Sequence, residues 1–326
     1  MKTLFRPSLF LAQYVDYQAP YEPLAHIAKR AADLGFDGIE IPCSCNPEIF
    51  DVAKASESQA YCDDVLAILK SSHIELAGLS TRFEGQFIAV DPSCKHLCAS
   101  SAPCVVRGDI DALRSWATTQ LHRAAQASRR FGLGTATTTA CIIRSEEYER
   151  LHGRREMAEE SISQLANHWS PILEAFDDAG VDLCFTMSAG GDLHDAISIQ
   201  RFLDVSKPHA RVKISFNPSQ FILQQLDYLQ FAKRYAGFIG ALEAEDLKFY
   251  SYRPGPYGAP ENFFWRGGQY RTPGDGDVDF GPLFAMLEEA GYSGWSTINW
   301  NSLLRHPEDD ARQGSAFIRS QALALA

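Results

Sequence analysis

Pro23–Ser44 reads PLAHIAKRAADLGFDGIEIPCS, and two periodicities meet inside it. Leu24, Ile27, Ala28 and Ala31 recur at helical spacing, and Gly35 stops the pattern. From Gly38 (GIEIPCS) the chain changes to a short apolar run of strand length. An amphipathic helix feeding a short buried strand is half of a βαβ unit, so the fold depends on whether that unit repeats.

It repeats along the chain. Short apolar runs begin near Ser8 (SLFLAQYV), Gly38, Glu75 (ELAGLST), Thr135 (TATTTACI), Val181 (VDLCFTMS), Val212 (VKISFNP), Gly240 (GALEAED) and Gly294 (GWSTINW). Helical segments separate them at Pro23–Leu34, Ser58–Leu69, Ile110–Phe131, Glu159–Phe176, Ile197–Val205, Tyr228–Phe238 and Phe280–Ala290, and Glu308–Ala324 follows the last. Eight strands alternating with helices over 326 residues, with no low-complexity linker, predict an α/β fold: one (β/α)8 TIM barrel over residues 1–326. Two inserts, at about 91–108 and 250–276, follow the third and seventh strands. Both leave strand C-terminal ends, the face where barrel enzymes build their sites.

Composition narrows the partners. The net charge of -11 argues against nucleic acid and against anionic membranes. Apolar stretches are strand-sized, and Arg6 and Pro7 interrupt any signal-like run, so a cytoplasmic protein is expected. The expected partner is a small-molecule substrate or ligand, and a homo-oligomer remains open. Among the eight cysteines, Cys94, Cys98 and Cys104 lie near His96, but without a CxxC knuckle; a buried or loop role is favoured over zinc. Walker, GxGxxG, GxSxG and HExxH patterns are absent, and no cofactor is expected.

Several stretches carry a likeness. LGFDGIEIP at Leu34–Pro42, DLHD at Asp192–Asp195, NPSQF at Asn217–Phe221, GDGDVDFGPLF at Gly274–Phe284, GWSTINWN at Gly294–Asn301 and HPED at His306–Asp309 occur in this order. Together they resemble the sugar phosphate isomerase/epimerase family of xylose isomerase-like barrels. The resemblance implies one divalent metal held by a Glu ending strand five, an Asp and often a His after strand six, and a Glu ending strand eight. It further implies acidic residues that move a proton between sugar carbons.

The sequence departs from that pattern at each place. Thr186 and Ser188 stand where the resemblance expects Glu and His on strand five, and Asn217 and Gln220 stand where it expects Asp and His. Asn299 and Asn301 replace two glutamates on strand eight, and Glu243 appears where a His is expected on strand seven. Six of these replacements are neutral and polar, and amides lack the charge that hard divalent cations favour, so no metal is expected. Alternate strand residues share a face, so these side chains converge in the barrel mouth. Thr186, Ser188, Asn217, Gln220, Asn299 and Asn301 are the candidate substrate-binding residues, with Arg82 and Arg271 for an oxyanion or sugar oxygens. Glu84 and Glu243 are the candidate proton-moving carboxylates; structural ion pairing with arginines is the competing role. His194 reads as a turn residue and Cys141 as a small buried thiol.

Three functions fit. The first is a metal-independent isomerase, epimerase, lyase or cyclase acting by proton transfer on a sugar, polyol or related oxygenated metabolite. The second is a non-catalytic pseudoenzyme that binds a small molecule or supports a partner subunit. The third is a metalloenzyme with relocated ligands drawn from Glu84, Glu243, Glu245 and Asp246.

Overall fold

The structure is a computed structural model, and it describes residues 5–15, 20–90, 102–140, 155–189, 191–207, 209–251, 268–299, 302 and 304–325. Eight parallel strands close into a barrel in the order β1-β10-β7-β6-β5-β4-β3-β2. They are β1 (Pro7–Phe10), β2 (Gly38–Pro42), β3 (Glu75–Thr81), β4 (Thr135–Thr138), β5 (Asp182–Thr186), β6 (Val212–Phe216), β7 (Ile239–Glu243) and β10 (Ser296–Ile298). The (β/α)8 expectation holds, and each barrel strand lies within two residues of where the apolar runs begin.

The helices follow the expected periods. Ile110–Phe131 starts on Asp109, whose side chain accepts from the Ala112 amide, and stops at Gly132 in left-handed conformation (φ 73°). Leu24–Asp33 buries Leu24, Ile27, Ala28 and Ala31, and is followed by Gly35 at φ 88°. The core lies between the outer strand faces and this helical ring. Phe5 stacks on Phe284 with centroids 4.2 Å apart, and Phe185 of β5 meets Trp169 and Phe202 edge-on, each at 4.9 Å. Among the described residues no helix is long and apolar enough to cross a membrane.

One expectation changes. Part of the 250–276 insert is not loop: β9 (Gly268–Arg271) pairs antiparallel with β8 (Asp246–Phe249), in the register Asp246↔Arg271 to Phe249↔Gly268. The buried Asp246 carboxylate anchors this hairpin by accepting from the amides of Gly274, Gly276 and Val278 at 2.9, 2.9 and 3.0 Å. Residues 252–267 and 91–101, with Cys94, His96 and Cys98, lie outside the described residues.

Candidate active site

Strand ends and the turns after them assemble a cavity of about 250 Å³ at the barrel mouth. Its walls include Thr186 ending β5 and Ser188 after it, Asn217 and Gln220 after β6, Glu243 ending β7 and Glu245 after it, Asn299 after β10, and Arg82 after β3. Asn217 caps the helix Pro218–Leu223, so Gln220, three residues on, falls on the same side. Six of the expected binding residues, Arg82, Thr186, Ser188, Asn217, Gln220 and Asn299, therefore share one cavity with Glu243. Asn301 lies outside the described residues.

Glu243 is the hub. It is 3% exposed, and five side chains donate to it. Thr186 Oγ1 and Ser215 Oγ donate to Oε1 at 3.3 and 2.8 Å. Arg82 Nη1, Asn217 Nδ2 and Asn299 Nδ2 donate to Oε2 at 3.2, 3.3 and 3.2 Å. Buried carboxylates persist when paired and fully hydrogen-bonded, and this arrangement supplies both. The Arg82 guanidinium also lies 4.7 Å from the Phe10 ring centroid, which fixes its plane.

Sequence reasoning offered Glu245 only as a relocated metal ligand, not as a substrate-binding or proton-moving residue. It lines the same cavity, two residues beyond Glu243, and accepts from Asn217 Nδ2 at 2.7 Å and Ser219 Oγ at 3.2 Å. One amide thus bridges two carboxylates. Burial first, then the Glu243 charge, raise the Glu245 carboxyl above the ordinary range, against hydrogen bonds from Asn217 and Asn299 and the Arg82 charge. The signal was legible: in GALEAED, Glu243 and Glu245 stand two apart on an extended chain and share a face.

Two expected residues lie elsewhere. Arg82 and Glu84 do not share a direction, because the chain leaves β3 into the helical turn Arg82–Gly85. In a strand i and i+2 face the same side; in a helix they diverge widely. Arg82 enters the cavity, while Glu84, 0% exposed, is not among its walls and sits beside Cys43 and Cys45, whose thiols are raised by burial first and by Glu84 second. Apart from its own backbone amide, the Glu84 carboxyl meets no hydrogen-bond donor among the described residues, and burial pushes it up to about 8. Arg271 is held on the β8–β9 hairpin by Tyr250 Oη at 2.7 Å and Gln269 Oε1 at 3.0 Å, and does not line the cavity. In the DLHD turn, Asp195 caps helix Ala196–Val205 and His194 Nδ1 lies 2.8 Å from Gly191 O, a turn role.

The donor set does not fit a hard divalent cation. Asn217 Oδ1 accepts from the Ser219 amide and hydroxyl at 3.1 and 2.7 Å, as a helix cap must. That directs its NH2 group, not its oxygen, at Glu243 and Glu245. Gln220 Oε1 accepts from the Ala189 amide at 3.0 Å, and its Nε2 donates to Tyr270 Oη at 2.7 Å. A guanidinium and inward-pointing amide hydrogens repel a cation where oxygen ligands would be needed. Of the relocated set, only Glu243 and Glu245 line the cavity, because Asp246 anchors the hairpin and Glu84 faces the two thiols. Among the described residues no three His, Cys, Asp or Glu side chains are grouped to hold a metal.

With this geometry in place, comparison gives the lineage. A family model described as "Xylose isomerase-like TIM barrel" matches residues 28–321. The chain belongs to this family. Relatives include inosose dehydratases of Clostridium botulinum (strain Alaska E43 / Type E3), 24% identical over 178 residues, and of Geobacillus kaustophilus (strain HTA426), 24% identical over 179. These matches cover 52% and 51% of this chain and 58% and 57% of the relatives, so the chain spans a little over half the length of the curated relatives it matches. Solved structures of the same fold include an Escherichia coli 3-keto-D-glucoside 4-epimerase, with TM-score 0.65 at 12% identity over 97% of this chain and 99% of that one. An L-ribulose 3-epimerase gives 0.62 at 15% identity, over 98% and 95%. The sequence relatives are named as dehydratases, and the two solved structures, named as epimerases, share the barrel fold.

Proposed function

We propose that this family member is a metal-independent enzyme that moves a proton on a sugar, polyol or related oxygenated metabolite beside a carbonyl group. The observation that carries the reading is the Glu243–Glu245 pair, bridged by one amide inside the cavity. Two adjacent buried carboxylates favour sharing one proton, and the environments separate their roles. Glu245, raised by burial and by its neighbour, is assigned the acid's role; Glu243, met by Arg82, is assigned the base's. In an elimination, an ionised carboxylate takes the proton from the carbon beside the carbonyl. The protonated carboxyl gives its proton to the departing hydroxyl, which leaves as water, and solvent exchange resets the pair. In an epimerisation the same two groups remove and return one proton. Asn299, Thr186 and Arg82 orient substrate oxygens, and Ser188 completes the wall. The relatives named inosose dehydratase favour elimination, on a small-molecule partner of monosaccharide size.

The test is proton exchange in D2O, followed by NMR on a panel of inososes and ketoses after exhaustive chelation. Deuterium entering beside the carbonyl, or loss of water, supports the reading. Glu245→Gln lowers that rate by about 10²–10⁴-fold while substrate still binds. No exchange on any member of the panel, or activity appearing only with added Mn2+, Co2+ or Mg2+, overturns it. One observation favours the second reading, a small-molecule binder without turnover: both Glu243 oxygens are already occupied by protein donors. Ligand-induced thermal stabilisation without exchange selects that reading.

A further inference from the structure

The barrel is open below its mouth as well. Strand register turns Gly78, Thr137, Cys184, Ser215, Ala241 and Thr297 to the same inner face as Glu40 and Glu243. None is larger than threonine, whereas barrel interiors are ordinarily filled at this height by bulky branched side chains. The unfilled space is a cavity of about 530 Å³ among the first residues of the strands, walled by Glu75, Thr135, Asp182, Lys213, Ile239 and Trp295. Glu40 forms its inner end.

Glu40 is 3% exposed, yet incompletely matched. Its Oε1 accepts from Thr137 Oγ1 and lies 3.8 Å from Arg82 Nη2; its Oε2 has no partner among the described residues. Arg82 is closer to Glu243, at 3.2 Å, so one guanidinium serves two carboxylates. The other charges on the lower wall are engaged. Glu75 pairs with Arg6 at 2.8 Å, Asp182 pairs with Arg211 at 3.0 Å, and Lys213 Nζ donates to Gly237 O at 3.0 Å. What remains is a buried acceptor carrying excess negative charge, reached past apolar walls of Leu76, Ile239 and Trp295.

We propose that this lower cavity is a second ligand site, separate from the mouth, that takes a small organic cation whose ammonium group donates to Glu40. A charge-assisted hydrogen bond in a desolvated cavity is the contact this geometry rewards most. A neutral polyol would leave the excess charge uncompensated. A divalent metal would need several oxygen ligands where one carboxylate stands.

The test uses n-butylammonium chloride as probe on the full chain, with n-butanol and sodium chloride as controls, read by titration calorimetry and by soaked crystals. The expected result is saturable binding of butylammonium alone, with its density beneath Glu40. Glu40→Gln weakens binding by about tenfold or more, since it removes a charged hydrogen-bond partner. Ala241→Leu keeps Glu40 but fills the cavity, and removes binding if the first variant fails to fold. No binding to the wild-type protein, density only in the upper cavity, or unchanged affinity in either folded variant overturns the proposal.

Discussion

Glu243 at the barrel mouth and Glu84 in the turn after β3 are both almost wholly buried, and the protein treats them in opposite ways. Glu243 is surrounded by donors from Arg82, Thr186, Ser215, Asn217 and Asn299. Glu84 meets only its own backbone amide, and burial raises it to about 8. A buried carboxylate can be matched by donors, or left unmatched with its proton held more tightly, and this chain contains both. Burial alone therefore does not mark a catalytic acid. What marks the mouth is convergence of donors around a cavity, and the Glu84 region has no such convergence among the described residues.

The largest effect separates the two directly. Glu243→Leu takes from Arg82 its nearest carboxylate and from Ser215 and Thr186 their shared acceptor, and should cost about 3–5 kcal/mol, as breaking a buried ion pair does. Glu84→Leu removes a carboxyl that was already neutral and unmatched, and should be neutral or stabilising. Urea unfolding of the two variants at neutral pH measures both. Equal losses would show that Glu84 has partners of the same weight, and the contrast would collapse.

Why the sequence showed one of these regions and not the other follows from backbone geometry. Strand residues alternate with period two, so the apolar runs placed all eight barrel strands, and Thr186, Asn217, Glu243 and Asn299 could be assigned to one mouth. Glu84 was misplaced because the period changes after Thr81: Arg82–Gly85 is helical, and the direction of a side chain cannot be read across such a change without knowing where it falls. The hairpin of β8 and β9 was illegible for a different reason. It is held by one side chain, Asp246, reaching glycine amides about thirty residues away, as at Gly276, and such a contact leaves no period. The strand pattern put Glu245 on the face of Glu243, but its raised carboxyl depends on burial and on the carboxylate packed beside it.

The second effect is the pH dependence of stability. The Glu84 carboxyl moves from its ordinary 4.5 to about 8 in the folded protein, so the folded state binds the extra proton. The contribution of that proton to stability is fully present below about 4.5 and is lost as pH rises toward 8, at about 1.4 kcal/mol per pH unit at most, with no further loss above it. Glu84→Gln should remove this slope, so the variant gains on the wild-type protein between pH 5 and 8 and keeps a constant lead above. Glu245, raised too, gives both proteins a residual slope of the same sign. Denaturation midpoints across this range provide the check; parallel curves would place the Glu84 proton elsewhere.

The smallest effect tests whether the donors around Glu243 act as a set. Ser215 and Thr186 both donate to Oε1, at 2.8 and 3.3 Å, one from β6 and one from β5. Ser215→Ala removes the shorter bond to a charged acceptor and should cost about 1.5 kcal/mol. Thr186→Val should cost less, because its bond is longer and lies at the cavity wall. Removing either leaves one donor on Oε1; removing both leaves that oxygen buried with none, a larger step than either single loss. The double variant should therefore lose at least about 0.5 kcal/mol more than the two singles added together. Strict additivity would mean that water or a side-chain shift replaces each donor independently. Glu243 would then be solvated in practice, as a neutral Glu84 is not, and the case for a preorganised carboxylate pair at the mouth would lose its footing.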